Sequence, residues 1–275
     1  MINIKILLEN FSVNDRYKSR HGLSILIEFQ GKNILLDVGP DNKFMENAHT
    51  MGIDLTKADL LFLSHNHNDH THGLNKFNEI NKNALIYLMD DIDNKYYAKK
   101  YLLLFPIGLK LKKKYRSRIT QVSDDLNIND QIFFIKNKVT ENRKPTYNKA
   151  LFKKENGKIV NDTFDHEGIL VLEDNNELLI FNSCSHNGIL NIVETVKRKF
   201  PGKAIRCYIG GLHLCNPGTK DHEDFEYLNF LIEKLNILKI DIYTGHCTGK
   251  FVLNYLKEKL GGKIHEINTG MELSI

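Results

Sequence analysis

Apolar positions in the first third of the chain fall into short runs divided by turn residues. Runs near 2–8, 23–29, 33–38 and 59–63 predict β-strands. Gln30-Gly31-Lys32-Asn33 supplies a hairpin turn between the second and third runs. Over 41–52 the period lengthens: Phe44, Ala48 and Met51 share one helical face, and Gly52 ends it. A further helix is expected at about 71–82 and a strand near 84–89.

Strands resume near 118–122 and 131–136, followed by an irregular loop over 138–149 that contains Pro145. Asn156-Gly157 predicts a hairpin, and strands near 168–173 and 177–182 flank Asp174-Asn175-Asn176. The pattern then alternates. Helices are expected at about 188–199, 221–236 and 249–260, with strands at 203–209 and 239–243 and a short strand pair near 263–267 and 270–274. Short strands in two sheets covered by helices predict an α/β (α+β) fold, a four-layer αββα sandwich in a single domain spanning 1–275.

Residues 91–118 interrupt this order. Tyr96, Tyr97, Tyr101, Leu102, Leu103, Leu104 and Phe105 precede Pro106 and Gly108, and then come Lys110, Lys112, Lys113, Lys114, Arg116 and Arg118. The segment reads as an inserted helical lid whose basic end attracts an anionic substrate; the alternative is a solvated amphipathic helix.

The densest chemistry lies in Ser64-His65-Asn66-His67-Asn68-Asp69-His70-Thr71-His72, directly after the apolar run Leu60-Leu61-Phe62-Leu63. A strand that ends in a ligand-rich loop presents a metal site at the sheet edge. Residues two apart in an extended segment point the same way, so His65 and His67 can share one ion. Asp69 and His70 follow a turn and can face a second. A metal-held water has a pKa of about 7 rather than about 15.7, so hydrolysis at neutral pH needs no activated side-chain nucleophile. An accidental His-rich surface loop would not give this order at a strand end. His186, His213 and His246 each follow a predicted strand, and together with the cluster they suggest one rim assembled from distant sequence. His72 is read as structural, and His49, His166, His222 and His265 as surface residues.

The His-x-His-x-Asp-His pattern of His65 to His70 resembles the signature of the metallo-β-lactamase superfamily. Leu35-Leu36-Asp37-Val38-Gly39 is similar to the strand and Asp-x-Gly turn that precede it. His21-Gly22-Leu23-Ser24, Asn182-Ser183-Cys184-Ser185-His186-Asn187-Gly188, Ile209-Gly210-Gly211-Leu212-His213-Leu214 and Tyr243-Thr244-Gly245-His246-Cys247-Thr248-Gly249 resemble segments of one branch. That branch is the dihydropteroate-synthase-like, or dihydropterin-ribofuranosylaminobenzene-phosphate synthase-like, group.

The resemblance implies the αββα fold and one or two Zn2+ ions per chain, with Mn2+ or Fe2+ as alternatives. His65, His67 and His186 would bind the first metal, and Asp69, His70 and His246 the second. The bridging Asp usual in the superfamily is missing, and Ser183-Cys184 stands in its place. Cys184 is therefore a candidate bridging ligand, with His213 as a further substitute. Asp37 is expected to orient a ligand His by a hydrogen bond. Asp69 and His213 are the catalytic candidates, His213 as a general acid. His21, His213 and Thr248 are candidate substrate contacts, and the helix beginning after Thr248-Gly249 could receive an anionic group.

The bulk numbers exclude little. A chain of 275 residues with 41% hydrophobic and 26% charged residues is ordinary for a soluble globular protein. A net charge of +4 and a pI near 8.7 do not by themselves mark a nucleic-acid binder. Cys184, Cys207, Cys215 and Cys247 form no Cys-x-x-Cys pair. No signal-peptide pattern and no membrane-length apolar run is visible, so a cytoplasmic location with reduced thiols is expected. The expected function is a metal-dependent hydrolase or related transferase acting on a small anionic substrate, phosphorylated and pterin-related by the branch resemblance. The alternatives are a phosphodiesterase or nuclease and a diiron redox or metal-sensing protein. No membrane or nucleic-acid partner is expected, and a homo-oligomer is compatible with the sequence.

Overall fold

A computed structural model describes residues 1–216 and 218–275. The chain runs β1 (Asn3–Leu8), β2 (Ser24–Phe29), β3 (Lys32–Leu36), α1 (Lys43–Thr50), β4 (Leu60–Leu63), α2 (Asn68–Thr71), α3 (Leu74–Ile80) and β5 (Leu85–Leu88). Then follow β6 (Tyr96–Lys100), β7 (Leu103–Pro106), β8 (Ile119–Gln121), β9 (Leu126–Asn127), β10 (Ile132–Lys136), β11 (Leu151–Glu155), β12 (Lys158–Asn161), β13 (Gly168–Asp174) and β14 (Glu177–Phe181). The last part holds α4 (Ile189–Lys199), β15 (Ala204–Ile209), α5 (Phe225–Ile237), β16 (Asp241–Thr244), α6 (Lys250–Leu260), β17 (Ile264–Glu266) and β18 (Glu272–Ser274).

The span expected as one domain carries two compact units, each with its own sheet and core. The first comprises Met1–Tyr97, Pro106–Asp124 and Ile267–Ile275, and the second Ala98–Phe105 and Asp125–Glu266.

In the first unit a seven-stranded sheet has the order β18-β1-β2-β3-β4-β5-β8. Pairing is antiparallel from β18 to β3 and parallel from β3 to β8. Strand β4 is buried at all four positions, as expected for a parallel strand within a core. Phe44 of α1 and Leu74 and Phe77 of α3 join Leu35, Leu61 and Ile86 in one apolar cluster. The register sets Leu36 beside Phe62, so β3 and β4 end together. Asp37 and Ser64 therefore leave the sheet at the same edge.

The second unit holds a seven-stranded sheet in the order β17-β16-β15-β14-β13-β10-β9. The strands from β14 to β17 are parallel. Phe181 lies beside Ile209, and Ile209 beside Tyr243, so β14, β15 and β16 also end in step. Ile192 and Val196 of α4, Leu228 and Leu231 of α5, and Val252 and Leu256 of α6 pack with Ile180, Tyr208 and Ile242. A smaller sheet has the order β12-β11-β6-β7.

Two expectations are corrected. The segment at 91–118 is not a helical lid: it contains the hairpin β6–β7 and a 3-10 turn over Lys113–Arg118. Its consecutive apolar residues have no helical stripe, and β6 finds a sheet partner in β11. Leu103, Leu104 and Phe105 of the edge strand β7 are all exposed. Part of the segment's basic end is engaged locally. Lys112 pairs with Glu79 at 2.9 Å and Arg116 with Asp93 at 2.6 Å, while Arg118 donates to Asn78 and to the carbonyls of Asn81 and Ala84. The second correction concerns the expected C-terminal strand pair. β17 pairs with β16 and β18 with β1, so the two lie in different sheets.

Candidate metal centre

The first unit gathers its donors just beyond β4. His65, His67 and His70 are buried, with ring centroids 4.5 Å apart for His65–His67 and 4.4 Å for His65–His70. His67 precedes the single turn of α2, which lifts Asp69 and His70 into position. Each supporting contact acts on an Nδ1 atom. Ser64 Oγ lies 2.8 Å from His65 Nδ1, and Asp37 Oδ2 lies 2.8 Å from His70 Nδ1. Asp37 also accepts the Ser64 backbone N–H at 2.7 Å and its hydroxyl at 2.6 Å. Holding a ring by Nδ1 fixes its orientation and leaves Nε2 to serve as ligand. The expected orienting role of Asp37 thus has a geometric basis.

The His-Gly-Leu-Ser segment packs against the same loop. Gly22, at φ +145, has no room for a side chain, because an added Cβ would stand 2.5 Å from the Asp69 carbonyl oxygen. Ser24 donates to the Asp37 carbonyl at 2.8 Å. His21 is half-exposed, and its Nε2 lies 3.3 Å from Asp69 Oδ2, while His70 Nε2 lies 3.4 Å from the same oxygen. Burial alone would lower the His70 imidazole, but the carboxylates of Asp69 and Asp37 outweigh it and raise it to about 10.

In the second unit the donors follow three adjacent parallel strands. Cys184 and His186 come after β14, His213 after β15, and His246 with Cys247 after β16. All five are buried. Asn148 holds His186 at two points: its Oδ1 lies 3.0 Å from Nδ1, and its Nδ2 donates to the backbone carbonyl at 2.7 Å. Buried Glu167 accepts the His186 and Asn187 backbone N–H groups at 2.7 and 2.8 Å. Burial raises the Glu167 carboxyl, and these bonds offset only part of the rise. Phe164 stacks on His186, with centroids 4.3 Å apart.

His213 stands 4.1 Å from His186, centroid to centroid. Neither ring nitrogen of His213 has a hydrogen-bond partner of good geometry among the described residues. Its backbone N–H donates to Cys247 Sγ at 3.3 Å. Burial would push the Cys247 thiol up, but the hydrogen bond from Cys184 and the His246 and His213 rings hold it well below its ordinary value. Asp37, Ser185, His213 and His246 all adopt left-handed φ, between 50 and 59°. Such strained backbone gathers at functional sites.

Several single residues differ from expectation. Thr248 does not face outward as a substrate contact: it is fully buried, and its hydroxyl accepts the Leu212 N–H at 2.9 Å and bonds Thr244 at 2.6 Å. The close approach of Cys215 to Gly249, 2.4 Å from where a Cβ would stand, covers the turn that enters α6. His166 is not a surface residue: it is buried, with Nε2 2.9 Å from Asp162. His72 has the structural place expected of it, bonded to the Gly108 carbonyl at 3.2 Å. Sequence reasoning missed Asn148, Glu167 and Cys247. Only Cys247, beside His246, carried a local signal.

These residues fit a divalent transition metal. They supply imidazoles held by Nδ1, a carboxylate pair whose field favours positive charge at His70, and thiols beside an imidazole. The described residues include candidate His, Asp and Cys metal-binding groups.

Comparison with known proteins agrees with this donor chemistry. Residues 18–145 match the Metallo-beta-lactamase superfamily. A curated relative from Methanocaldococcus jannaschii is 31% identical, over 98% of this chain and 95% of its own length. The chain belongs to the metallo-β-lactamase superfamily and is an enzyme of that superfamily. The relative is named 7,8-dihydropterin-6-methyl-4-(beta-D-ribofuranosyl)-aminobenzene-5'-phosphate synthase. Among solved structures, Tm1679, a metal-dependent hydrolase of the beta-lactamase superfamily, matches with a TM-score of 0.84 at 24% identity, covering 100% of this chain and 99% of that one. A diphosphatase of the PhnP family matches with a TM-score of 0.57 at 16% identity, covering 100% and 98%. Both share the mixed α/β fold with its multiple sheets. Among the described residues no helix is long and apolar enough to cross a membrane.

Proposed function

We propose that this chain is a metal-dependent hydrolase or related transferase acting on a small anionic substrate, phosphorylated and pterin-related. The carrying observation is the set of Nδ1 tethers: Ser64 on His65, Asp37 on His70 and Asn148 on His186. Ligand histidines are held in this way, through the ring nitrogen that does not bind the metal. The name of the 31%-identical relative supports the substrate class. In this reading the metal ligands are His65, His67, Asp69 and His70 of the first unit and His186 and His246 of the second. Zinc suits the imidazole-rich set, with manganese or iron as alternatives.

A divalent cation there supplies Lewis acidity and an activated water. The chain's own residues do the rest. Asp37 and Ser64 fix the His70 and His65 rings. Asp69, shared by His70 and His21, takes up a proton at the reacting edge. His213, whose ring nitrogens have no hydrogen-bond partner of good geometry among the described residues, donates one to the leaving group.

The test is metal content per chain by mass spectrometry in wild type, His65→Ala and His67→Ala, with a screen of phosphoesters, lactones and pterin phosphates. Both variants should lose metal and all turnover. Unchanged metal content in both would overturn the ligand set.

A further inference from the structure

Within the second unit, two cysteines and one histidine converge, and Cys247 among them has no role in the reading above. Ligand atoms of Cys184, His246 and Cys247 all lie within 4.8 Å of one another, and all three residues are at least nine-tenths buried. They come from two different parallel strands, Cys184 after β14 and His246-Cys247 after β16. Cys247 Sγ lies 3.6 Å from the Cys184 carbonyl oxygen.

The backbone is shaped around this sulfur. Gly211 leaves space that a Cβ would fill, since that Cβ would stand 2.5 Å from Cys247 Sγ. The His213 N–H points at the same sulfur from 3.3 Å. The imidazole of His213 is 93% buried by its 7% exposure, and its two nitrogens have no hydrogen-bond partner among the described residues. A buried imidazole in that state marks a place where a ligand belongs. None of the four cysteines is in a disulfide.

We propose that Cys184, His246 and Cys247 form a thiolate-rich binding site for a cation of the zinc class, with a position left open on the side of His213. It shares His246 with the ligand set above and rests on that reading only for that residue. Two sulfurs and one imidazole select zinc, cadmium or cobalt over magnesium, calcium or manganese. Three protein donors with an open position is the arrangement of catalytic rather than structural zinc sites.

The experiment titrates the reduced, metal-free full chain with Cd2+ and follows the near-ultraviolet sulfur-to-cadmium charge-transfer band. Wild type should show the band. Cys184→Ser and Cys247→Ser should each lose about half of it, and the double variant all of it. Cys207→Ser, a change at a buried cysteine within β15, should keep the band in full. Cadmium-113 resonance of the wild-type protein reports sulfur ligation without any substitution, so misfolding of a variant leaves the test intact. A wild-type chain that binds cadmium with no band and no sulfur-type resonance overturns the proposal, as does a band that persists in the double variant. His65→Ala separates the two readings. A variant that keeps the sulfur band but loses other metal supports both. Loss of no metal, with the band intact, defeats the ligand set above and leaves this site standing.

Discussion

Asp37 Oδ2 lies 2.8 Å from His70 Nδ1, with both side chains fully buried. The same carboxylate takes two hydrogen bonds from Ser64, whose hydroxyl oxygen also lies 2.8 Å from His65 Nδ1. One residue at the end of β3 therefore governs two donors that follow β4, and the parallel register of the two strands makes this reach possible.

Asp37→Ala should weaken metal binding by about 10- to 100-fold without removing a ligand. Competition with a chromophoric chelator measures this. Affinity equal to wild type would show that the carboxylate orients nothing. Asp37→Asn should fall between, since it keeps the shape and loses the charge.

Asn148→Ala removes both contacts to His186. The His186 carbonyl loses a buried donor, which costs about 1–3 kcal/mol of stability. The ring loses its hold at Nδ1, so metal affinity should drop as well. Denaturant unfolding of the metal-free protein isolates the first effect, and chelator competition the second.

Gly210→Ala should be among the most damaging small substitutions. Gly210 sits at φ +145, and an added Cβ would stand 1.8 Å from the Asn182 carbonyl oxygen. The strained φ and the shift of the segment leading to Cys184 together cost about 2–3 kcal/mol or more. A lowered melting temperature with lost thiolate ligation is the expected result.

Glu266 joins the end of β17 to both ends of α6, through Lys250 at 2.6 Å and Lys257 at 2.7 Å. Burial raises its carboxyl, but the two lysines outweigh this and hold it below the ordinary 4.5. A depressed folded value means the contribution is present above about pH 4.5 and fades as pH falls through the folded value. Glu266→Gln should cost about 0.5 kcal/mol at pH 7, given solvent screening. The gap from wild type should close in acid, and a gap independent of pH would rule out the ionic origin.

How much could be read from the chain depended on how local the signal was. Leu60-Leu61-Phe62-Leu63 followed by His65, His67, Asp69 and His70 is a contiguous pattern, and strand and turn are found where it places them. The ordered segments carrying Cys184, His213 and His246 were equally visible, being strand ends. The hairpin β6–β7 was not, because its pairing with β11 lies some fifty residues away and leaves no periodicity in Leu102, Leu103, Leu104 and Phe105. Asn148 supports His186 across a separation of 38 residues, and a lone Asn in a loop carries no trace of that partner. His166 looked like a surface residue because its burial depends on Asp162 and the surrounding fold. The left-handed turns at His213 and His246 were also hidden, since nothing in a histidine announces a positive φ.

The strands β14, β15 and β16 run parallel, end in step, and are each followed at once by a donor. The hydrogen-bonded ladder stops before the chemistry begins. Changing a donor therefore edits a loop and leaves the ladder untouched, so ligands can be exchanged one strand at a time.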